Sequence, residues 1–201
     1  FIMASIYHGR GAAIGFGLES TYGTAVSRTN WRPLISSSLT RTIEKVPRPT
    51  LRVGTLGAMR RKHYVQSDGV SGSFSVEGQY GSIGLLIQNL LGASSTTGSD
   101  PYTHVYTIGG TLPTGLTIEN VRGTGTSEIF EGCRLNSGTF AVSSGGVMTC
   151  EFDVIGETGA ATPRATAGTP SFSATDAPIL HNHAGSLSWR SATYDLVDLS
   201  L

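Results

Sequence analysis

Along residues 69–80, apolar and polar side chains alternate. Val70, Phe74, Val76 and Tyr80 fall on one side, and Ser71, Ser73, Ser75 and Glu77 on the other. A period of two marks a strand with one dry face. The pattern then changes: Ile83, Leu86, Ile87, Leu90 and Leu91 recur at helical spacing, with Gly92 behind them. This predicts one short α-helix over about 81–91, with the glycine as its stop. Alternation returns where Met148, Cys150, Phe152 and Val154 oppose Val147, Thr149, Glu151 and Asp153. Further strands are predicted at 34–46, with Ile35, Leu39 and Ile43 on one face, and at 102–108, 116–122, 127–135, 139–143, 147–155 and 185–190. Ser144-Gly145-Gly146 reads as a tight hairpin turn. Asp195 to Leu201 reads as a strand that stops without a turn, so the natural chain is expected to continue.

The stretches between these elements are also informative. Residues 1–30 show no sustained period and are expected to form an N-terminal arm before a single domain over 31–201. The stretch 45–64 contains Pro47-Arg48-Pro49; proline withholds donors from a ladder, which predicts a long loop or hairpin excursion. Residues 93–101 and 157–178, rich in small and hydroxyl residues, are expected to be loops. The whole reads as a mainly β chain: an antiparallel β-sandwich or barrel with one short flanking helix.

Composition agrees. The 201 residues suffice for one domain with a sizeable core, and Ser and Thr make up about a quarter of them, beside 27 glycines. No apolar run approaches the roughly 18 residues of a membrane span, so a soluble chain is expected. The start, Phe1-Ile2-Met3-Ala4-Ser5, shows no basic-then-apolar leader, and Met3 is a candidate natural start. Cys133 and Cys150 are too few for a disulfide framework and are expected to be buried free thiols.

Net charge is zero, but the charge is unevenly placed. From Arg41 to Lys62 there are seven bases (Arg41, Lys45, Arg48, Arg52, Arg60, Arg61, Lys62) against Glu44, a local +6. From residue 63 onward four arginines face twelve acids, a local −8. The basic segment either folds back on its own domain or reaches a neighbouring copy. It lacks interleaved aromatics before Tyr64, which speaks against stacking on nucleic-acid bases.

Motifs for chemistry are sparse. There is no nucleophile elbow, phosphate-binding loop or His-Glu-x-x-His pair, and the glycines of His8–Gly15 are wrongly spaced for a dinucleotide turn. His181 and His183 would share one face of a strand but lack a third ligand. His104, between Tyr102 and Tyr106, is expected on a packed, half-buried face. Glu128 and Glu131 would face opposite sides of a strand, while Glu151 and Asp153 share one, as acids on a solvated face do. No cofactor and no enzymatic activity are expected.

A resemblance adds to this. Gly15-Phe16-Gly17-Leu18-Glu19-Ser20-Thr21-Tyr22-Gly23-Thr24-Ala25 resembles the opening segment of the tail tube proteins (major tail proteins) of long-tailed bacteriophages. Ser36-Ser37-Ser38-Leu39, the Gly72–Gly78 strand running into the helix to Leu91-Gly92, Tyr102–Tyr106, Leu112–Ile118 and Phe130–Asn136 continue the likeness in order. The resemblance implies six copies in a ring, with rings stacked into a tube that passes the genome. It also implies tape-measure, tail terminator and baseplate partners, assembly in the host cytoplasm, a place in the virion tail, and no membrane. Head-to-tail assembly needs two different, mutually attractive surfaces. Arg48, Arg52, Met59, Arg60, Arg61 and Lys62 are the expected inter-subunit contact. A wall past which DNA slides should avoid cations, so Ser71, Ser73, Ser75, Glu77, Thr149, Glu151 and Asp153 are the expected lumen residues. The competing reading is a β-sandwich binding or decoration module for a glycan or protein surface.

Overall fold

The computed structural model describes residues 11–47, 63–79, 83–99, 102–122, 127–143, 146–159, 168–172, 186–189, 192–195 and 198–200. Its elements run β1 (Ala12–Leu18), β2 (Asn30–Ser37), β3 (Thr40–Pro47), β4 (His63–Glu77), α1 (Gly84–Leu91), β5 (Gly92–Thr97) and β6 (Thr103–Ile108). They continue with β7 (Leu116–Arg122), β8 (Ser127–Ser143), β9 (Thr149–Gly159), β10 (Ser186–Trp189), β11 (Ala192–Asp195) and β12 (Asp198–Ser200).

Six strands form a closed circuit of antiparallel pairs. β1 pairs with β2, β2 with β4, β4 with β9, β9 with β8, β8 with β7, and β7 again with β1. The fold is thus a mainly β barrel, as the alternation predicts. Inward side chains fill it: Ile14 and Phe16 from β1, Phe74 and Val76 from β4, Leu116 and Ile118 from β7, Phe152 and Val154 from β9. The Phe74 ring lies 5.2 Å from Phe16 and 5.5 Å from Phe152, and Phe140 meets Phe152 edge-on at 5.6 Å. These are favourable aromatic separations.

The helix closes against β8. Leu86 is buried, and Leu90 packs on the core over Gly138. A Cβ at Gly138 would come within 3.0 Å of both Leu90 and Phe152. Asn89, also buried, fixes the helix through both amide atoms: its Nδ2 donates to the Thr114 carbonyl at 2.8 Å, and its Oδ1 accepts from the Leu135 N–H at 2.9 Å. Leu135 stands where the β8–β9 register shifts, so the side chain satisfies backbone that a bulge would leave unpaired. Gly92 ends the helix at φ 95°, a left-handed cap that glycine adopts without strain.

Several elements differ from the sequence-based expectation. The stretch expected as an arm contains β1, whose Ile14 and Phe16 are among the most deeply buried residues. The strand expected at 34–46 is two strands broken at Ser38-Leu39; Leu39 is buried while Ile35 and Ile43 are exposed, so the three share no dry face. The strands expected at 127–135 and 139–143 are one, bulged near Leu135. The Ser/Thr-rich stretch 93–101 carries β5, which pairs with β6 as a separate hairpin. The expected strand near 185–190 is β10, and of the terminal stretch Asp198–Ser200 is a strand.

Replacing Phe74 by Ala removes a ring from the centre of the barrel. Unfolding stability is expected to fall by about 3–5 kcal/mol, read as a lower denaturant midpoint in equilibrium unfolding.

Candidate functional site

The barrel has two unlike walls. Through β4, β9 and β8 the inward row is apolar and the outward row is mainly hydroxyl and carboxylate, with Ile155 exposed at one end of it. The ladder sets Ser73 opposite Asp153, Ser75 opposite Glu151 and Glu77 opposite Thr149. On its other side, β9 sets Asp153 opposite Ser137 and Glu151 opposite Thr139. The two rows singled out separately in the sequence therefore form one continuous patch. Ser71, Thr149, Glu151 and Asp153 are exposed, and Ser73, Ser75 and Glu77 are half-buried. Ser137 Oγ donates to Asp153 at 2.5 Å, while Ser38 Oγ accepts from the Ser73 N–H at 2.9 Å.

Cations are nearly missing from this wall. Among the described residues of β4, β8 and β9, Arg134 is the sole Lys or Arg. It stands opposite Ile155, and its guanidinium is drawn aside: Cζ lies 4.3 Å over the Tyr22 ring, and Nε donates to the Pro113 carbonyl at 3.1 Å. A cation over an aromatic face is attracted by the ring quadrupole. Burial raises the Tyr22 hydroxyl above its usual pKa, with Arg134 acting in the opposite direction.

One end of the wall extends into a ribbon. The first half of β4 pairs with β3, from Pro47 opposite His63 to Thr40 opposite Ser71. Most side chains of this ribbon are exposed, including Ile43, Tyr64 and Val65. Arg41 donates through Nε to Asp68 at 2.8 Å, and this hydrogen bond holds the Arg41 guanidinium above its usual pKa. The ribbon leads into the basic segment. Arg48, Arg52, Met59, Arg60, Arg61 and Lys62 lie outside the described residues.

The opposite wall, β1 and β7, is buried on both faces. Its outer face is covered through two acids. Glu119, fully buried, accepts from the Gly168 N–H at 2.7 Å and forms a close ion pair with Arg28. Trp31 lies on Gly15, where a Cβ would come within 2.8 Å of the indole. Glu19 clamps the turn after β1. Its Oε2 accepts from the Gly23 N–H at 2.8 Å, and its Oε1 accepts from Gly132 N–H at 2.9 Å and Thr117 Oγ1 at 3.0 Å. Gly23 and Gly132 both have positive φ, 74° and 60°, which lets their N–H groups turn toward the carboxylate. Sequence reasoning missed both acids. The available signals were that Glu19 is the first acid in the chain and that Glu119 interrupts an apolar strand, where a charge must find partners.

The remaining candidates are scattered. Tyr102, His104 and Tyr106 form a row with ring centroids 6.5 Å apart. Tyr102 and His104 are exposed rather than half-buried, because the β5–β6 hairpin stands off the barrel and only Tyr106 reaches the helix, at Gly84. Glu128 pairs with Arg122 at 3.0 Å. His181 and His183 lie outside the described residues. No three metal-ligating side chains gather among the described residues, and no helix there is long and apolar enough to cross a membrane.

Both cysteines are free and buried, as expected. Burial pushes the Cys150 thiol up to about 11 and raises Cys133 further. Because only the thiolate attacks, both thiols of the folded protein should stay silent to Ellman's reagent at pH 8 and react fully after denaturation. Glu19→Gln would face the Gly23 N–H with an amide donor, lowering unfolding stability by about 2 kcal/mol, measurable by urea titration.

Comparison with curated proteins finds no match. A family model described as phage tail tube protein matches residues 9–201, nearly the whole chain, and the chain belongs to that family.

Proposed function

We propose that this chain is a structural virion protein that assembles into hexameric rings, stacked as a tube through which genomic DNA passes. The family supports the coarser part of this, a tail tube component of the virion. The observation that carries the finer part is the bare, cation-poor outer face of β4, β9 and β8, with Ser71, Ser73, Ser75, Glu77, Thr149, Glu151 and Asp153 in one patch. A surface that contacts phosphates through Lys and Arg binds DNA, and one that presents carboxylates lets it slide. In this reading that patch lines the lumen, the role is structural and not enzymatic, and assembly takes place in the host cytoplasm.

Ring formation has a geometric route. The lumen sheet runs β3, β4, β9, β8, each antiparallel to the next. β3 ends the sheet on one side among the described residues. β8 runs on to Ser143 after its last β7 pair at Cys133, with the Leu135 N–H held by Asn89 and the edge beyond it continuing from Asn136. The edge of β3 in one copy meets the β8 edge of the next as a strand addition. Rings then stack through the ribbon and its basic continuation, with Arg48, Arg52, Met59, Arg60, Arg61 and Lys62 reaching the acidic body of a subunit in the adjacent ring. A two-stranded ribbon with both faces wet is marginally stable alone, which favours a partner surface in the assembly. Tape-measure, tail terminator and baseplate proteins complete the set of partners that this role requires.

The exposed Tyr102–His104–Tyr106 row gives the glycan- or protein-binding alternative its foothold, since sugars stack on aromatic faces. Negative-stain microscopy of the purified protein separates the two readings. Long hollow fibres are expected, whereas monodisperse particles that bind glycans would favour the alternative. Reversing charge at Arg60, Arg61 and Lys62 together should abolish fibres while leaving the unfolding midpoint of the subunit unchanged. Fibres carrying Glu151→Lys and Asp153→Lys should bind duplex DNA at low salt and release it as salt rises, whereas unmodified fibres should not.

A further inference from the structure

The edge of β8 that the next copy would use is already partly occupied. β12 pairs antiparallel with it, Asp198 opposite Ser143, Leu199 opposite Val142 and Ser200 opposite Ala141. In the sheet β3–β4–β9–β8 each strand reverses the last, so β3 and β8 run in opposite directions. An incoming β3 laid against β8 is therefore antiparallel to it, the same sense as β12. The two strands would compete for the same backbone donors and acceptors.

We propose that β12 is a placeholder strand: it covers the free edge of β8 in the isolated subunit and gives way to β3 of a second copy during assembly. The inference rests on the tube reading above and adds a control on it. Unpaired strand edges invite uncontrolled association, and natural proteins cover them. β12 is short, three residues against the eight of β3. A short intramolecular strand holds the edge through its high effective concentration when subunits are dilute. The longer strand prevails when a neighbour is held in place by an existing ring. Growth is thereby favoured at a tube end and disfavoured in free solution.

The full chain tests this with two variants. Val142→Cys with Leu199→Cys places two thiols at directly opposed positions of an antiparallel pair, where Cα atoms stand about 4.5–5.5 Å apart, within disulfide reach. The native thiols, buried and protonated, do not interfere. Oxidised, this variant is expected to stay as folded single subunits by sedimentation and microscopy; on reduction it should form tubes like the unmodified chain. Tubes in the oxidised state would overturn the proposal. Leu199→Pro weakens the β12 pairing without a crosslink, and tubes should then appear at several-fold lower protein concentration. An unchanged or higher threshold would equally overturn it. Failure of the unmodified chain to form tubes at any concentration is a different result, one that removes the tube reading itself.

Discussion

Insertion of β9 between β4 and β8 is the constraint on which the rest of the structure depends. Without it the strands would form an open sheet ending at β4 and β8, with Phe74 left uncovered at the opening. With it the ladder returns to its start and the rings of Phe16, Phe74 and Phe152 pack across the interior at tilted angles. Closure also explains the lengths of β4 and β8, 15 and 17 residues. Each serves more than two neighbours along its length: β4 pairs with β3, β2 and β9, and β8 with β7, β9 and β12. Long strands that change partner build the barrel with one stretch and, with another, extend beyond it into the β3–β4 ribbon and the β8–β12 pair.

Closure makes two walls, and they are treated oppositely. The β1–β7 wall is covered on its outside by Trp31, which lies on Gly15, and by the chain around Arg28 and by Gly168, both held by Glu119. A buried carboxylate costs several kcal/mol in desolvation unless its lone pairs are taken, and here both oxygens are engaged. The same holds for Glu19, which receives three donors from three segments of the chain. The β4–β9–β8 wall is left bare, and that contrast is what supports the proposal that it faces the lumen.

Legibility from sequence followed the same division. The bare wall was readable because one face is dry and the other wet: Val70, Phe74 and Val76 against Ser71, Ser73 and Ser75 give a clean period of two, and so do Cys150, Phe152 and Val154. The helix and its Gly92 stop were readable because its apolar stripe packs on β8. β1 was not, because Ala13 to Gly17 are buried on both faces and show no alternation. β5 was missed because Ser and Thr on an exposed hairpin look like loop. The break at Ser38-Leu39 was masked by a spacing of four that mimics one continuous strand. Glu19 and Glu119 carry no periodic signal, since their roles are set by partners up to 113 residues away. The segment that carries the family likeness, Gly15–Ala25, is where Glu19 and its turn reside, so the likeness there reflects a clamp in place of a catalytic motif.

The chemistry of the bare wall bears on its proposed role in a further way. A hydroxyl can donate to a phosphate, so a surface of serines is not inherently slippery. Here several hydroxyls are already committed. Ser137 donates to Asp153, Ser67 to Glu44, and Ser38 and Ser73 lie within 3.3 Å of each other. Where a hydroxyl is committed in this way, a carboxylate oxygen or a lone pair is what faces outward. These groups accept hydrogen bonds and repel phosphate, whatever the base sequence passing by. Arg134 is held to one side, over the Tyr22 ring and against the Pro113 carbonyl. Committed hydroxyls such as Ser137 add to the effect of the carboxylates on this wall, which suits passage of a polyanion in the proposed role.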